Sequence, residues 1–417
     1  MIILMKLLTL ALALLTAPAF AGEKIVTFDA AMDAPARALF VEGRGGRVIR
    51  DFAFINAALA EFPGDVKNQD ISRAPGVASA EDDRVIYWLA SEEPLSLEAA
   101  RERAGALLAG EPGAASPPSV STPAAPISPV YITTTGVDGR TERLPWSTVR
   151  MGALKAWSVA KGAGARVAVL DSGVQCSHPD LSPNCGQGYN VLEPGTPPDD
   201  DRGHGTHVAG IIAGALNWSG MAGMAPEATI LPVKVLDNTG SGKVSQVIEG
   251  IEWAVRQKAD IINLSLGAPE YSAAQGKAVK AARKAGILVV CAAGNFGGDV
   301  GYPAAFEDSV AVTAVDFSNK LADFSCRGPA ADFAAPGVRI YSSYPDKSFL
   351  LANGTSQAAP HVSGVAALAV SLGVKGEAAL RAALIKASVS LGLPREQQGA
   401  GVPVASLLVS NILSGQH

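Results

Sequence analysis

The sequence is poor in cysteine and has no excess of positive charge. Its 417 residues include four cysteines and no Cys-X-X-Cys motif, which argues against a zinc ribbon or a thioredoxin-like site. Lysine and arginine number 34 against 39 aspartates and glutamates, giving a formal net charge of −5. Such a chain has no electrostatic reason to bind nucleic acid or an anionic membrane surface. We therefore expect no nucleic-acid partner.

Beyond residue 21 the sequence also lacks an apolar run that is long and uncharged enough to cross a bilayer. Residues 1–21 are typical of a secretory signal. Lys6 lies in the leading region, residues 7–15 are apolar, and Ala19-Phe20-Ala21 is a small-residue cleavage site. The apolar run is shorter than the ~20 residues that a spanning helix needs, so a cleaved signal is favoured over an N-terminal anchor. We expect a secreted protein, extracellular or periplasmic, with no membrane partner.

An exported chain can form disulfides. Cys176 and Cys185 lie close together in the sequence, whereas Cys291 and Cys326 are distant from them. We favour pairing Cys176 with Cys185, although spacing alone does not decide the connectivity.

The length exceeds one ordinary domain. With 48% hydrophobic residues, 18% charged residues and 44 glycines, the composition is that of a globular α/β protein. We interpret residues 22–90 as a small α+β domain and residues 91–140 as a linker, because a possible helix at 95–108 is followed by Pro-, Ala- and Ser-rich sequence. The predicted elements of the small domain are strands at 24–28 and 47–54, a helix at 35–42 and a closing strand at 85–89.

Residues 141–417 alternate between apolar strands and helices, which predicts a doubly wound, mostly parallel sheet with helices on both faces. The predicted strands are 166–170, 228–236, 261–266, 287–292 and 309–314, and the predicted helices are 206–216, 244–257, 275–285 and one that begins near residue 356. Sheets of this kind bind ligands beyond the carboxyl ends of their strands. Asp171, directly after the strand at 166–170, is therefore a candidate site residue.

The helix near residue 356 is small or apolar on nearly every face, which predicts that it is buried all round. Ser356 lies at its start, where unpaired N–H groups favour negative charge. A plain N-cap role for Thr355 or Ser356 is the alternative. Two other segments favour a catalytic role over an N-cap role. Asp171 and His204 supply the carboxylate and the base that turn a serine hydroxyl into a nucleophile.

The three segments VLDSG (169–173), GHGTHVAG (203–210) and NGTSQAAPHV (353–362) resemble the signature blocks of the subtilisin-like serine proteases, in the same Asp, His, Ser order. The resemblance extends over about residues 144–408. It implies that Asp171 orients His204, that His204 is the general base and acid, and that Ser356 attacks the scissile carbonyl. The segment AAGN (292–295) resembles the oxyanion block of the family, which implies that Asn295 is the oxyanion donor. Gln357 stands where the family usually has methionine.

The resemblance also implies where an extended peptide substrate binds. Its two flanking edges are Gly240, Ser241 and Gly242 on one side and Ser265, Leu266 and Gly267 on the other. Ala292, Gly294 and Gly301 are expected to line the pocket for the residue before the scissile bond, P1. Small residues there, with Phe296 nearby, favour a large apolar P1 side chain.

No cofactor is expected for the chemistry, but structural calcium is possible, with Asp180 as the candidate ligand from the family resemblance. Residues 199–201, three aspartates, are interpreted as a solvated acidic loop, with calcium as the alternative. His204 and His207 lack an accompanying HExxH motif or further ligands, which argues against zinc. We interpret His207 and His361 as structural.

A signal, a small α+β domain and a protease domain resemble the zymogen organisation of the family. The small domain would then be a propeptide that assists folding and inhibits the enzyme until it is cut off. We expect a monomeric endopeptidase with two partners, its polypeptide substrates and its own propeptide. The alternatives are a permanent N-terminal binding domain, a catalytically silent binding protein on the same fold, and a peptide ligase or cyclase that uses the same acyl-enzyme.

Overall fold

The computed structural model describes residues 20–29, 32–89, 130–136 and 138–415. Nearly all of the expected signal and most of the expected linker, including the possible helix at 95–108, lie outside the described residues. The chain divides into two compact units. The first comprises residues 1–85, 243–245 and 272–277, and the second comprises residues 86–242, 246–271 and 278–417.

The first unit contains a four-stranded antiparallel sheet in the order β2-β3-β1-β4. Its core includes Val26, Phe28, Val41 and Phe62. The elements up to residue 87 are β1 (Phe20–Phe28), α1 (Ala34–Glu42), β2 (Arg47–Phe52), β3 (Ala57–Pro63), α2 (Asn68–Ser72), β4 (Val77–Asp82) and β5 (Val85–Tyr87).

The structure corrects the sequence-based prediction of this sheet. The expected closing strand at 85–89 is wrong as a member of the sheet, because β4 lies on that side of β1 and β5 lies outside the sheet. Strand β3 was missed. Its alanines have a weak preference for strands, and its position between β1 and β2 decides its conformation.

The second unit is built on a seven-stranded sheet in the order β15-β14-β13-β12-β8-β10-β9, in which every neighbouring pair is parallel. This confirms the expected doubly wound sheet. Residues of β10, β12, β13 and β14 are buried almost throughout, as strands covered on both faces should be. The strands of this sheet are β8 (Arg166–Asp171), β9 (Tyr189–Asn190), β10 (Thr229–Lys234), β12 (Ile261–Leu264), β13 (Leu288–Ala292), β14 (Val310–Val315) and β15 (Ala331–Pro336).

The helices from residue 146 onward are α3 (Trp146–Arg150), α4 (Ala153–Ala156), α5 (His204–Ala213), α6 (Val244–Arg256), α7 (Ala273–Lys284), α8 (Thr355–Ser371), α9 (Glu377–Lys386), α10 (Arg395–Gln398) and α11 (Ala405–Leu413). Paired strands outside the large sheet are β6 (Tyr131–Thr135), β7 (Thr141–Pro145), β11 (Ser241–Lys243), β16 (Ile340–Tyr344), β17 (Ser348–Ala352), β18 (Ser388–Val389) and β19 (Val402–Pro403). Within the described part of the chain, no helix is long and apolar enough to span a membrane.

Helix α8 lies at the centre of the largest apolar core. Every residue from Thr355 to Val370 is buried, and the helix packs against α5 and against strands β12 to β15. The buried helix predicted from the sequence is thus confirmed.

The sheet order creates a switch point at β8, which lies between β10 and β12. The chain leaves β8 for β9 and β10 on one side and then crosses to β12 on the other. Ligand crevices in open parallel sheets form beyond the carboxyl ends of strands at such points. Asp171 is the last residue of β8, so the fold directs it into that crevice.

Cys176 and Cys185 form a disulfide with a Cα–Cα distance of 5.8 Å, which confirms the favoured pairing. Cys291 and Cys326 are buried free thiols.

We predict that replacing both Cys176 and Cys185 by serine lowers the free energy of unfolding by about 2 to 3 kcal/mol, because the cross-link closes a loop with a sequence separation of 9 and restricts the unfolded chain. Guanidinium unfolding measures the change, in a Ser356→Ala background that removes the expected nucleophile. Dithiothreitol should produce the same loss in the parent and none in the double variant. An unchanged midpoint in the double variant would contradict the prediction.

Candidate active site

Asp171 and His204, which are distant in the sequence, meet where β8 ends and α5 begins. The Nδ1–H of His204 donates to Oδ1 of Asp171 at 2.7 Å, and the N–H of Ser172 donates to the same oxygen at 2.7 Å. Asp171 is fully buried and His204 is 9% exposed. A carboxylate in this position holds the imidazole with its proton on Nδ1, which leaves Nε2 as the basic nitrogen.

Gly205 allows this close approach. A methyl group in place of its hydrogen would overlap the carbonyl oxygen of Gly173 and lie 3.0 Å from Cβ of Asp171. The first turn of α5 therefore lies directly against the end of β8, and a larger residue at 205 would separate the carboxylate from the imidazole.

Asp200 anchors the same helix and was missed as a site residue. Its carboxylate accepts hydrogen bonds from the N–H of Gly203 at 2.7 Å and of Thr206 at 2.8 Å, and from the hydroxyl of Ser172 at 2.8 Å. The interpretation of residues 199–201 as a solvated loop is wrong for Asp200, which is 9% exposed. Burial raises the pKa of the Asp200 carboxyl, and these hydrogen bonds oppose that shift. The sequence did contain a signal for this role, because an aspartate shortly before the start of a helix is a capping pattern.

Ser356 lies in the first turn of α8 and is 2% exposed. Its hydroxyl donates to Oε1 of Gln357 at 3.0 Å. The side chains of Gln357 and His204 both line a cavity of about 270 Å³, together with Tyr344, Leu350 and Ala352. The base candidate therefore borders the same cavity as Gln357, the residue that follows the nucleophile candidate and accepts its hydroxyl.

A chain of side-chain hydrogen bonds fixes the backbone of Ser356. Its carbonyl oxygen accepts from the hydroxyl of Ser265 at 2.8 Å, which in turn accepts from Nδ2 of Asn263 at 2.8 Å. The hydroxyl of Ser363 donates to Oδ1 of Asn263, also at 2.8 Å. Ser265, expected at a substrate edge, also ties β12 to α8. Asn263 and Ser363 were not identified from the sequence, because their pairing requires the sheet and the helix to be packed together.

Asn295 is held beside the start of α8. Its Oδ1 accepts from both the N–H and the hydroxyl of Thr355, each at 2.8 Å. The hydroxyl oxygen of Thr355 accepts from the N–H of Gly294 at 3.1 Å. Because the oxygen end of the amide is anchored to Thr355, the residue before Ser356, the orientation of its N–H end is fixed as well.

The expected substrate-binding segments lie around these groups. Gly267 closely approaches the segment of Ala292 and Gly294: a methyl group at Gly267 would be 3.3 Å from the carbonyl oxygen of Ala292 and 3.9 Å from Cα of Gly294. Gly301 donates its N–H to the carbonyl oxygen of Ala293 at 2.9 Å. Leu266, of the same expected edge as Gly267, follows β12. The other expected edge, Gly240, Ser241 and Gly242, lies in and next to the short strand β11.

His207 and His361 each have a ring nitrogen within hydrogen-bond distance of a backbone carbonyl oxygen, as structural histidines do. Nε2 of His207 lies 3.1 Å from the carbonyl oxygen of Leu350, and Nδ1 of His361 lies 2.8 Å from that of Gln357. Burial lowers the pKa of His361 to about 4, so it is neutral at pH 7.

Asp180, the candidate calcium ligand, is hydrogen-bonded to the loop of residues 217–221. Its carboxylate accepts from the N–H of Met221 at 2.9 Å and from Nδ2 of Asn217 at 3.2 Å, and a methyl group at Gly220 would overlap it. Glu142 accepts from the N–H groups of residues 217 and 218 in the same loop. Calcium binding at Asp180 stays a prediction. In the part of the chain that the structure describes, no group of three or more His, Cys, Asp and Glu side chains could hold a metal ion.

Comparison with known proteins gives consistent matches. The sequence model described as the Subtilase family matches residues 162–401. Subtilisin E of Bacillus subtilis (strain 168) is 36% identical over 336 residues, 79% of this chain and 74% of its own. Thermitase of Thermoactinomyces vulgaris is 43% identical over 237 residues, 56% of this chain and 85% of its own. Subtilisin Savinase of Lederbergia lenta is 45% identical over 229 residues, 54% of this chain and 84% of its own.

We predict that Asp200→Ala lowers the free energy of unfolding by about 2 kcal/mol, because buried N–H groups at the start of α5 lose their acceptor. Amide hydrogen exchange at residues 203–206 should accelerate as well. Asp199→Ala is the matched control, since Asp199 is an exposed aspartate of the same loop. Equal stability and equal exchange in the two variants would contradict the anchoring role of Asp200.

Proposed function

Because this chain belongs to the subtilase family and is a serine endopeptidase, we propose that Asp171, His204 and Ser356 are its catalytic triad. The observation that carries the assignment is the 2.7 Å hydrogen bond between His204 and the buried Asp171, at the crevice beyond the end of β8. Ser356, in the first turn of a buried helix whose next residue, Gln357, lines the same cavity as His204, supplies the nucleophile.

In this mechanism Oγ of Ser356 attacks the scissile carbonyl carbon while Nε2 of His204 accepts the hydroxyl proton. The C–N bond then breaks, and His204 gives that proton to the departing amine. Water attacks the resulting ester with His204 again as the base, releasing the acid and restoring Ser356. Asp171 keeps its charge throughout and stabilises the imidazolium. No cofactor is needed for these steps.

The negative charge on the carbonyl oxygen is stabilised by the N–H end of Asn295 and by the backbone N–H of Ser356. The support is the anchoring of Asn295 Oδ1 by Thr355, which orients the donor before any substrate binds. Preorganised donors of this kind are effective because they need not reorient during the reaction. The positive end of the α8 dipole acts on the same oxygen.

We propose that residues 22–90 are a propeptide and that the protein is made as an autoprocessed zymogen. The similarity to Subtilisin E covers 79% of the chain, more than residues 141–417 contain, so it reaches the N-terminal region. In the second unit, Trp88 donates its backbone N–H to Gly240 at 3.1 Å and its indole N–H to Gly242 at 3.0 Å. The end of the proposed propeptide thus pairs with an edge proposed to bind substrate.

Residues 1–21 support export, and the proposed setting of the enzyme is therefore extracellular or periplasmic. Its proposed partners are polypeptide substrates, bound with an apolar P1 side chain, and its own propeptide, with the mature enzyme a monomer. A catalytically silent binding protein is the weaker alternative, because the hydrogen bonds that orient His204 and Asn295 are intact. Transfer of the acyl group to an amine, as in a ligase, uses the same groups and differs only in the acceptor.

The first test is labelling of the purified protein by a fluorophosphonate, combined with casein cleavage and N-terminal sequencing. Wild type should take up label, cleave casein and lose its N-terminal region, and Ser356→Ala should do none of these. Ser158→Ala, at an exposed serine, is the control that should behave as wild type. Product masses that show addition of water support hydrolysis, and new amide bonds support transfer. A wild type that takes no label, even without residues 22–90, would refute the triad.

For the oxyanion donor we predict that Asn295→Ala lowers kcat by about 10²- to 10³-fold with a much smaller change in KM, the magnitude known for such a donor in a subtilisin. Steady-state kinetics on a peptide anilide measure both constants. A change in KM alone would assign Asn295 to substrate binding instead.

A further inference from the structure

The ring of Phe296 lies over two of the glycines proposed to line the P1 pocket. A methyl group at Gly294 would be 2.8 Å from Cε1 of Phe296, and one at Gly301 would be 3.2 Å from its Cζ. The tip of the ring therefore occupies the space into which both missing side chains would point. Phe296 is 48% exposed, so its other edge faces solvent.

This space adjoins the reacting carbonyl. Phe296 directly follows Asn295, the proposed donor to the carbonyl oxygen, and the P1 side chain is attached to the carbon next to that carbonyl. A methyl group at Gly267 would be 3.9 Å from Cα of Gly294, so the segment 265–267, proposed to bind substrate, lies beside the same space. A P1 side chain accordingly enters between Gly267, Gly294 and Gly301, towards the ring.

The walls of the pocket are backbone and cannot easily retreat. Ala268 and Tyr302 exchange two hydrogen bonds, of 3.0 and 2.7 Å, and Gly301 donates to the carbonyl oxygen of Ala293. A methyl group at Gly301 would lie 2.8 Å from the carbonyl oxygen of Ala268. The depth that is available to a P1 side chain is thus set by the position of the Phe296 ring.

We propose that Phe296 is a specificity-determining residue that shortens the P1 pocket and restricts it to small apolar side chains such as alanine. The inference rests on the proposed triad and deepens the proposed specificity. It revises the expectation of a large P1 side chain. That expectation assumed that the missing side chains of the glycines leave the pocket open. In the structure the ring of Phe296 occupies that space. Leucine and phenylalanine at P1 meet the ring, and binding them requires it to swing out into solvent.

The test uses peptide anilides that differ only at P1, which is alanine, leucine or phenylalanine, with the active enzyme counted by fluorophosphonate titration. Wild type should cleave the alanine substrate with the highest kcat/KM. In Phe296→Ala the ratio of kcat/KM for phenylalanine over alanine should rise by about 10- to 200-fold, the range over which pocket size discriminates between apolar groups. Phe296→Leu should fall between the two. Phe317→Ala is the matched control, because Phe317 is 43% exposed and makes an edge-to-face contact with Trp146 instead.

Two results overturn the inference alone: a labelled wild type that prefers phenylalanine or leucine, or a labelled Phe296→Ala with an unchanged P1 ratio. A wild type that takes no label and cleaves none of the anilides overturns the proposed function, and this inference with it.

Discussion

The hydrogen bond between Asp171 and His204 is the constraint on which the site depends. A fully buried carboxylate is costly unless it is well supplied with donors. Here the imidazole and the N–H of Ser172 both donate to Oδ1, whereas Oδ2 has no hydrogen-bond partner among the described residues. That arrangement requires the first turn of α5 to touch the end of β8, which only a glycine at 205 permits. A second buried carboxylate, Asp200, accepts hydrogen bonds from the N–H groups of Gly203 and Thr206 at the same turn.

Ser356, the proposed nucleophile, is positioned by a different means. Ser356 belongs to a helix that is buried along nearly its whole length, so its position is fixed by the core rather than by one contact. Ser265 and Asn263 then tie its backbone to β12. Because the strands are parallel, their carboxyl ends meet at one edge, and rigid elements on that edge bring together groups that are distant in the chain. Pre-arranged geometry of this kind is what acyl transfer requires.

Two sets of contacts could not be read from the family resemblance. The carboxylate of Asp180, the candidate calcium ligand, accepts hydrogen bonds from N–H groups of the 217–221 loop. Glu142 accepts from the N–H groups of residues 217 and 218 in the same loop. At the proposed P1 pocket, the ring of Phe296 lies close to both Gly294 and Gly301.

The sequence by itself determined the parallel sheet, the buried helix α8 and the family, because apolar periodicity and contiguous motifs are properties of the linear chain. It favoured the Cys176–Cys185 disulfide, and the structure decided that pairing. The triad and Asn295 were also proposed from it. Only the tertiary structure decided the burial of Asp200, the hydrogen bonds of Asn263 and Ser363, the surroundings of Asp180 and the position of Phe296. Each of these depends on which segments distant in the chain come into contact. Contacts between distant segments have no signature within either segment, so they cannot be predicted from local sequence patterns.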